Sequence, residues 1–265
     1  MSAPVLGQGR FSRRFLRVWA RNMLVYRRIW KVNFLVPLLE PVFYLLAFGV
    51  GLGAMVGRVE YAGSELSYVQ FIAPALMATA SLWNSFFETT YASFVRMYYQ
   101  KTFDAMLATP LSLEEVVAAE IVWGATKAFF AAAIMLAVVA AFGYAKSFQA
   151  LWILPLSFLG GLAFGAVGMW FTARTKSIDL FNLPIFLFVT PMFLFSGTFF
   201  PVDALPSWAA FVAAALPLYH LSELFRAACL GALSWSGLWH VLYLVLFTAA
   251  FFPLSVRGMR ARLIK

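Results

Sequence analysis

The chain has 265 residues, of which 63% are hydrophobic and only 12% charged, and its mean hydropathy is +0.84; soluble domains carry roughly 25% charged residues, so this is an integral membrane protein. Its net charge of +9 would suggest nucleic acid in a soluble chain, but the basic residues gather at the ends of the apolar runs, where they set membrane orientation, and no nucleic-acid partner is expected. The single Cys229 excludes an internal disulfide, and no Cys/His cluster has metal-ligand spacing, so neither a metal nor a redox role is indicated.

In chain order, residues 10–31 read as an amphipathic helix. Arg10, Arg14, Arg17, Arg21 and Arg28 fall on one face, and Phe11, Phe15, Val18, Trp19, Tyr26, Ile29 and Trp30 on the other. Such a helix lies in the membrane interface, as a passive anchor or as a docking element. Its regularly spaced arginines also set it apart from a cleavable signal peptide, so it is expected to stay on the mature protein. Runs long enough to cross about 30 Å of hydrocarbon follow at 33–56, 68–95, 118–142, 148–172, 180–200 and 238–256. The expectation is an all-α integral membrane fold with six transmembrane helices in a single domain. Six crossings put both termini on one side, together with Arg96, Lys101, Arg174, Lys176, Arg257, Arg260, Arg262 and Lys265; the other side holds Arg58, Lys146 and Arg226. The richly basic side is then cytoplasmic.

Acids inside apolar runs are costly unless paired or facing water. Glu40 lies in the first span and Glu88 toward the inner end of the second, which predicts a shared depth; Pro41 frees a backbone carbonyl and predicts a kink. Ser81, Asn84, Ser85, Glu88 and Arg96 occupy one helical arc of about 120°. That stripe either lines a conduit for a polar head group or is satisfied by neighbouring helices, with Arg96 or Lys127 as the ion partner of Glu88. Small residues at four-residue spacing, Gly49, Gly53 and Gly57 and again Gly161 and Gly165, permit close helix approach.

Residues 98–112 are too polar for hydrocarbon. A short helix at 101–107, a break at Thr109, Pro110 and Leu111, and a capping box of Ser112 with Glu115 describe a knob projecting from the membrane, although composition alone also fits an ordinary loop. No GxxxxGK[ST] sequence is present, so there is no P-loop, and ATP-driven transport would need an ATPase on another polypeptide. Residues 196–231 are apolar yet broken by Pro201, Pro206 and Pro217, and they carry Asp203, His220, Glu223 and Arg226. Counting them as a seventh span would move the basic C-terminal tail outside. Charge parity therefore argues for an external re-entrant hairpin at 201–231, the alternative being two amphipathic helices on the outer surface. Glu223 and Arg226 can pair at i, i+3. His220 and Glu223 lack a nucleophile or metal partner, so no enzyme is expected.

The basic N-terminal helix, the six runs, KTFDAMLATPLS after the second span and FLFSGTFFPVDALPSWAAFVAAALPLYHLSELFRA before the last closely resemble the membrane subunits of bacterial type-2 ABC exporters. Within that group the likeness is to permeases for nodulation-type lipo-oligosaccharides and for daunorubicin-type drugs. The resemblance implies a permease homodimer in the bacterial inner membrane, among membrane lipids, each copy contacted by a separate cytoplasmic ATPase that holds ATP and Mg; the chain itself carries no cofactor. It implies a coupling helix at Lys101, Thr102, Phe103, Asp104, Met106, Leu107, Thr109, Pro110 and Leu111. It implies a substrate path along the first two spans, with Glu40, Tyr44, Ser81, Asn84, Ser85, Phe87, Glu88 and Tyr91, and an external gate at Phe199, Phe200, Pro201, Pro217, His220, Glu223 and Arg226. A lipid-linked glycan or lipo-oligosaccharide is the favoured substrate, a hydrophobic drug the second. A proton-coupled secondary transporter using Glu40 and Glu88 is the reading from another mechanistic class.

Overall fold

A computed structural model describes residues 12–61, 63–145 and 147–264; Arg10, Phe11, Lys146 and Lys265 lie outside them, as do the side-chain surroundings of Pro41 and Gly49. The chain opens with α1 (Phe15–Arg28) and α2 (Trp30–Tyr44). The latter runs unbroken through position 41 and continues as a π-helical turn, Leu45–Leu52, into α3 (Gly53–Val56). Gly57, at φ 70°, ends it. That glycine serves as a helix stop through its left-handed φ, and the close packing expected at its position is absent, since a Cβ there would meet nothing within 4 Å.

An antiparallel hairpin follows, β1 (Arg58–Tyr61) with β2 (Ser64–Ser67), in the register Arg58 to Ser67 and Tyr61 to Ser64. It corrects the all-α expectation. Val59, Tyr61 and Leu66 alternate with Arg58, Glu60 and Glu65, a period of two too short to register in a search for spans.

Ser67 then caps α4 (Tyr68–Phe87) with a capping box, its hydroxyl accepting the Gln70 N–H at 3.4 Å while the Gln70 side chain accepts the Ser67 N–H at 3.1 Å. The helix does not end at Phe87. It passes through two π-helical segments, Glu88–Ala92 and Val95–Tyr99, each beginning at or beside a charged residue of the stripe. Such bulges frequently accompany functional sites. After α5 (Thr102–Leu107) comes α6 (Leu113–Ala141), started by the predicted Ser112–Glu115 capping box. A 3₁₀ turn leads into α7 (Ile153–Arg174); then α8 (Asn182–Pro184), a π segment and α9 (Thr190–Phe195) form one irregular stretch. The chain closes with α10 (Ser207–Ala214), α11 (Pro217–Leu230) and α12 (Leu238–Leu263).

Four described stretches are long and apolar enough to cross a membrane: Leu113–Ala141, Phe148–Arg174, Ile178–Phe195 and Trp235–Leu263. The runs expected at 33–56 and 68–95 are helical over 30–56 and 68–99, but π segments interrupt both. Helices α10 and α11 meet at 86°, and with 8 and 14 residues each is shorter than the roughly 20 residues a crossing needs.

At the centre, α4 is pressed into a seam between α6 and α7. A Cβ on Gly161 would lie 2.6 Å from the Ala125 Cα, one on Gly165 2.9 Å from the Ser85 Oγ, and one on Gly168 would collide with the Thr89 Oγ1. Small residues thus let three backbones approach, as the Gly161/Gly165 spacing predicts. Ser81, Ser85, Thr89 and Thr90 are buried there, and their hydroxyls donate to helix carbonyls, Ser81 to Met77, Ser85 across the seam to Gly161, Thr89 to Ser85 and Thr90 to Phe86. This satisfaction is what makes a polar stripe tolerable in an apolar bundle.

Candidate functional site

Just below the seam, four charged side chains from two helices form one connected network. Arg96 reaches Glu88 at 2.7 Å and Glu120 through both Nε, at 3.0 Å, and Nη2. Lys127 donates to the second oxygen of Glu88 at 2.9 Å. Glu120, fully buried at 0% exposure, also accepts from Ser93 and, at 3.1 Å, from the Asn22 amide of α1. Taking such charges out of water is expensive, and only complete pairing compensates; here every carboxylate oxygen has a donor. Of the two readings of the stripe, the structure places Glu88 in the paired one, with Arg96 and Lys127 both as partners.

The network floors a cleft of about 530 Å³ bounded by α1, the π-bulged end of the second helix and α6. Its walls are aromatic: Tyr26 meets Trp123 edge to face at 5.6 Å, and Phe87 meets Tyr91 at 5.5 Å. Helix α1 is held along α6 by polar contacts as well as by its buried Val18, since the Trp19 indole donates to the Thr126 hydroxyl at 3.0 Å and Asn22 donates to Glu120. Of the residues expected on a substrate path, Phe87, Glu88 and Tyr91 line this cleft. Ser81 and Ser85 are wholly buried in the seam, Asn84 donates to the Ala80 carbonyl, and Glu40 and Tyr44 interact with each other along the first helix; none of these five borders the cleft.

At one end of the bundle, α5 presents Lys101, Asp104, Thr109 and Pro110 outward, while Phe103 and Met106 are buried beneath it; Thr102, Leu107 and Leu111 are half-buried. Lys101 itself sits at φ 53°, a left-handed conformation that turns the chain sharply between the second helix and α5. The knob is fastened on two sides. Ser12 donates its N–H and hydroxyl to Glu115 at 3.1 and 2.6 Å, and Arg14 donates to the Pro110 carbonyl at 2.7 Å. Arg260 of α12 pairs with Glu114. Burial pushes the Glu115 carboxyl up, but hydrogen bonds from the Ser12 hydroxyl and from the Ser112 and Ser12 N–H groups outweigh it and hold the group below its ordinary value.

At the opposite end, the Arg226 guanidinium is 1% exposed. It pairs with Glu223 at 2.6 Å, donates to the Phe71 and Gly197 carbonyls, and lies 4.2 Å from the centre of the Phe71 ring. Tyr61 of the β-hairpin donates to Glu223, and burial followed by that carboxylate raises its phenol pKa. One arginine thus ties together α11, α4, the 196–200 turn and the hairpin. Pro217 occupies the first turn of α11, where a missing N–H costs nothing. Phe199 packs on Phe48 at 6.0 Å and on Phe193 at 5.0 Å, with Tyr44 one contact further along; Phe200 is exposed and Pro201 half-buried. His220 Nε2 faces the Ala214 carbonyl at 2.9 Å, which can only accept, so Nε2 carries the proton and Nδ1 accepts from His240 Nδ1 at 2.8 Å.

Sequence reading missed Asn22, Glu120, Tyr61 and His240. A lone acid in the run VVAAEIVW was the available signal for Glu120; the others become visible only through contacts more than 20 residues apart or, for His240, at 20.

Apolar helices packed around a buried ionic network, with a cleft opening beside it, define a polytopic membrane protein. The chain belongs to the ABC-2 type transporter family, whose pattern it matches over residues 13–230, and it is therefore a transport permease. It is similar to Nodulation protein J of Rhizobium leguminosarum bv. viciae, 39% identical over 251 residues that make up 95% of each chain. Nodulation protein J of Bradyrhizobium diazoefficiens is 33% identical over 248 residues, 94% of this chain and 93% of that one. The inner membrane transport permease YadH of Escherichia coli K12 is more distant, 22% identical over 214 residues, 81% of this chain and 82% of the relative.

Proposed function

We propose that this chain is the membrane subunit of an ATP-driven exporter that moves an amphipathic lipo-oligosaccharide or lipid-linked glycan outward, powered by a separate cytoplasmic ATPase. The observation that carries the ATPase reading is the α5 knob. Asp104, Thr109 and Pro110 are offered outward from a platform that is anchored by Phe103 and Met106 and bolted to α1 and α12. A docking partner pressing on that platform would act directly on the helix that walls the cleft. Substrate class is supported by the extended similarity to Nodulation protein J and by the aromatic walls of the cleft, which suit the faces of sugar rings. Glu88, with both oxygens held by cations, is poorly suited to carry a proton, which weighs against a secondary transporter.

The accompanying topology is six spans in the bacterial inner membrane with both termini cytoplasmic, α1 in the interface, α10 and α11 as an external re-entrant pair, and a homodimer as the working unit. Purification from its native membrane tests the core of this reading. An ATPase should accompany the chain, and ATP hydrolysis should vanish when that partner is stripped away. Transport by the chain alone in proteoliposomes, driven by a proton gradient, would overturn it.

A further inference from the structure

The cleft holds more positive charge and more hydrogen-bond donors than its own acids consume. Glu88 is occupied at one oxygen by Arg96, at 2.7 Å, and at the other by Lys127, at 2.9 Å. Glu120 is occupied by Arg96, Ser93 and Asn22. Lys127 has therefore used one of its three N–H bonds and keeps its side chain 24% exposed. Arg21 spends one N–H on the Asn22 amide oxygen, at 3.0 Å, and among the described residues it has no carboxylate partner. Arg21 and Lys127 line the same cleft, with the Gln100 amide beside them. Three cations thus face two saturated carboxylates. The mouth is apolar, because Val25 and Ile29 line it and are 51% and 54% exposed. A cationic floor, aromatic walls and an apolar rim match a molecule with an anionic head and a hydrocarbon tail. A guanidinium fork and an ammonium lining one cleft supply the donors that a tetrahedral oxyanion takes.

We propose that the cleft between Arg21 and Lys127 is a binding site for the phosphate-type oxyanion head group of a membrane amphipath, whose tail leaves along Val25 and Ile29. Only the identity of that amphipath rests on the export reading: the head group belongs to the transported molecule or to an anionic phospholipid of the surrounding leaflet, and the chemistry of recognition is the same.

The test uses the purified full-length chain in nanodiscs and two photoreactive probes with the same acyl chains, a phosphatidylglycerol and an uncharged diacylglycerol. Phosphatidylglycerol should crosslink at the cleft mouth, and Arg21→Gln should lower its binding about tenfold or more, the scale of one charge-assisted contact. Arg21→Lys should restore most of it, and Arg27→Gln, which changes an exposed arginine of α1 outside the cleft, should change it less than about twofold. Displacement of the phospholipid by an oxyanion-bearing lipo-oligosaccharide would assign the site to the substrate. Failure to displace, with Arg21-dependent binding intact, would assign it to a resident lipid. Equal labelling by both probes, equal binding by the Arg21→Gln and Arg27→Gln proteins, or crosslinks confined to other helices would overturn the proposal. ATP-dependent export by the wild-type complex is scored separately, so its absence would sink the export reading while leaving the head-group site standing.

Discussion

Two ion pairs near the hairpin end differ in burial and in the carbonyl and ring contacts that Arg226 makes besides its carboxylate, and their removal should differ accordingly. Arg226 with Glu223 is 1% and 18% exposed at the side chains; Arg58 with Glu65 is 75% and 67% exposed. Replacing Arg226 with Met keeps most of the volume but leaves Glu223 with only the Tyr61 hydroxyl, and strips the Phe71 and Gly197 carbonyls of their donor. Breaking one partner of a buried pair costs about 3–5 kcal/mol, and the orphaned carbonyls keep the value at the upper end. Arg58→Met removes an exposed pair and should cost under about 1 kcal/mol. At roughly 2–4 °C per kcal/mol for a chain of this size, thermal unfolding in nanodiscs should drop by about 10 °C or more for Arg226→Met and by only a few degrees for Arg58→Met. Equal shifts, or an Arg226→Met protein as stable as wild type, would refute the view that Arg226 knots the hairpin, α4, the 196–200 turn and α11 together.

Further consequences follow from the same contacts. Asp104→Arg with Thr109→Trp should leave the permease folded yet uncouple ATP hydrolysis from export in the reconstituted complex, whereas Phe103→Ala, which hollows the platform from beneath, should lower stability by about 3–5 kcal/mol. Gly168→Ala drives a methyl group into Thr89 and should cost about 1–3 kcal/mol by overpacking, read as a lower unfolding midpoint. Because the folded-state value of Glu115 is depressed, its stabilisation is complete above the ordinary carboxylate value of 4.5 and is lost as pH falls through the lower folded value. Glu115→Gln should therefore flatten the acid limb of a stability profile between those two values, and an unchanged limb would mean that the Ser12 contacts do not hold in solution.

Features written in local order were legible in the sequence. Ser112 and Glu115 stand three residues apart and form the capping box they spell, α5 sits within a residue of its expected start, and the prolines at 201, 206 and 217 mark a segment that the structure bends by 86°. Glu88 was recognisable as an acid in need of cations, and both named candidates pair with it. What lay beyond reach depends on which helices meet. Glu120 falls at the start of the run expected at 118–142 with no partner to announce it, and only the packing of α6 against α1 and the second helix brings it to Asn22 and Arg96. The polar stripe of the second helix contained no sign of its neighbours; Gly124 of α6 and Gly165 and Gly168 of α7, packed against Ser85 and Thr89, hold that side inward and leave Phe87, Glu88 and Tyr91 to the cleft. The β-hairpin escaped because eight strand residues with alternating polarity carry too little hydropathy to stand out in a chain this apolar.

The most direct test of the central claim is accumulation of a radiolabelled lipo-oligosaccharide in inverted membrane vesicles containing this permease and its ATPase. The account predicts uptake that requires ATP and the ATPase, persists when a protonophore collapses the proton gradient, and fails in the Asp104→Arg, Thr109→Trp variant. Uptake that survives removal of the ATPase but dies with the gradient would contradict it.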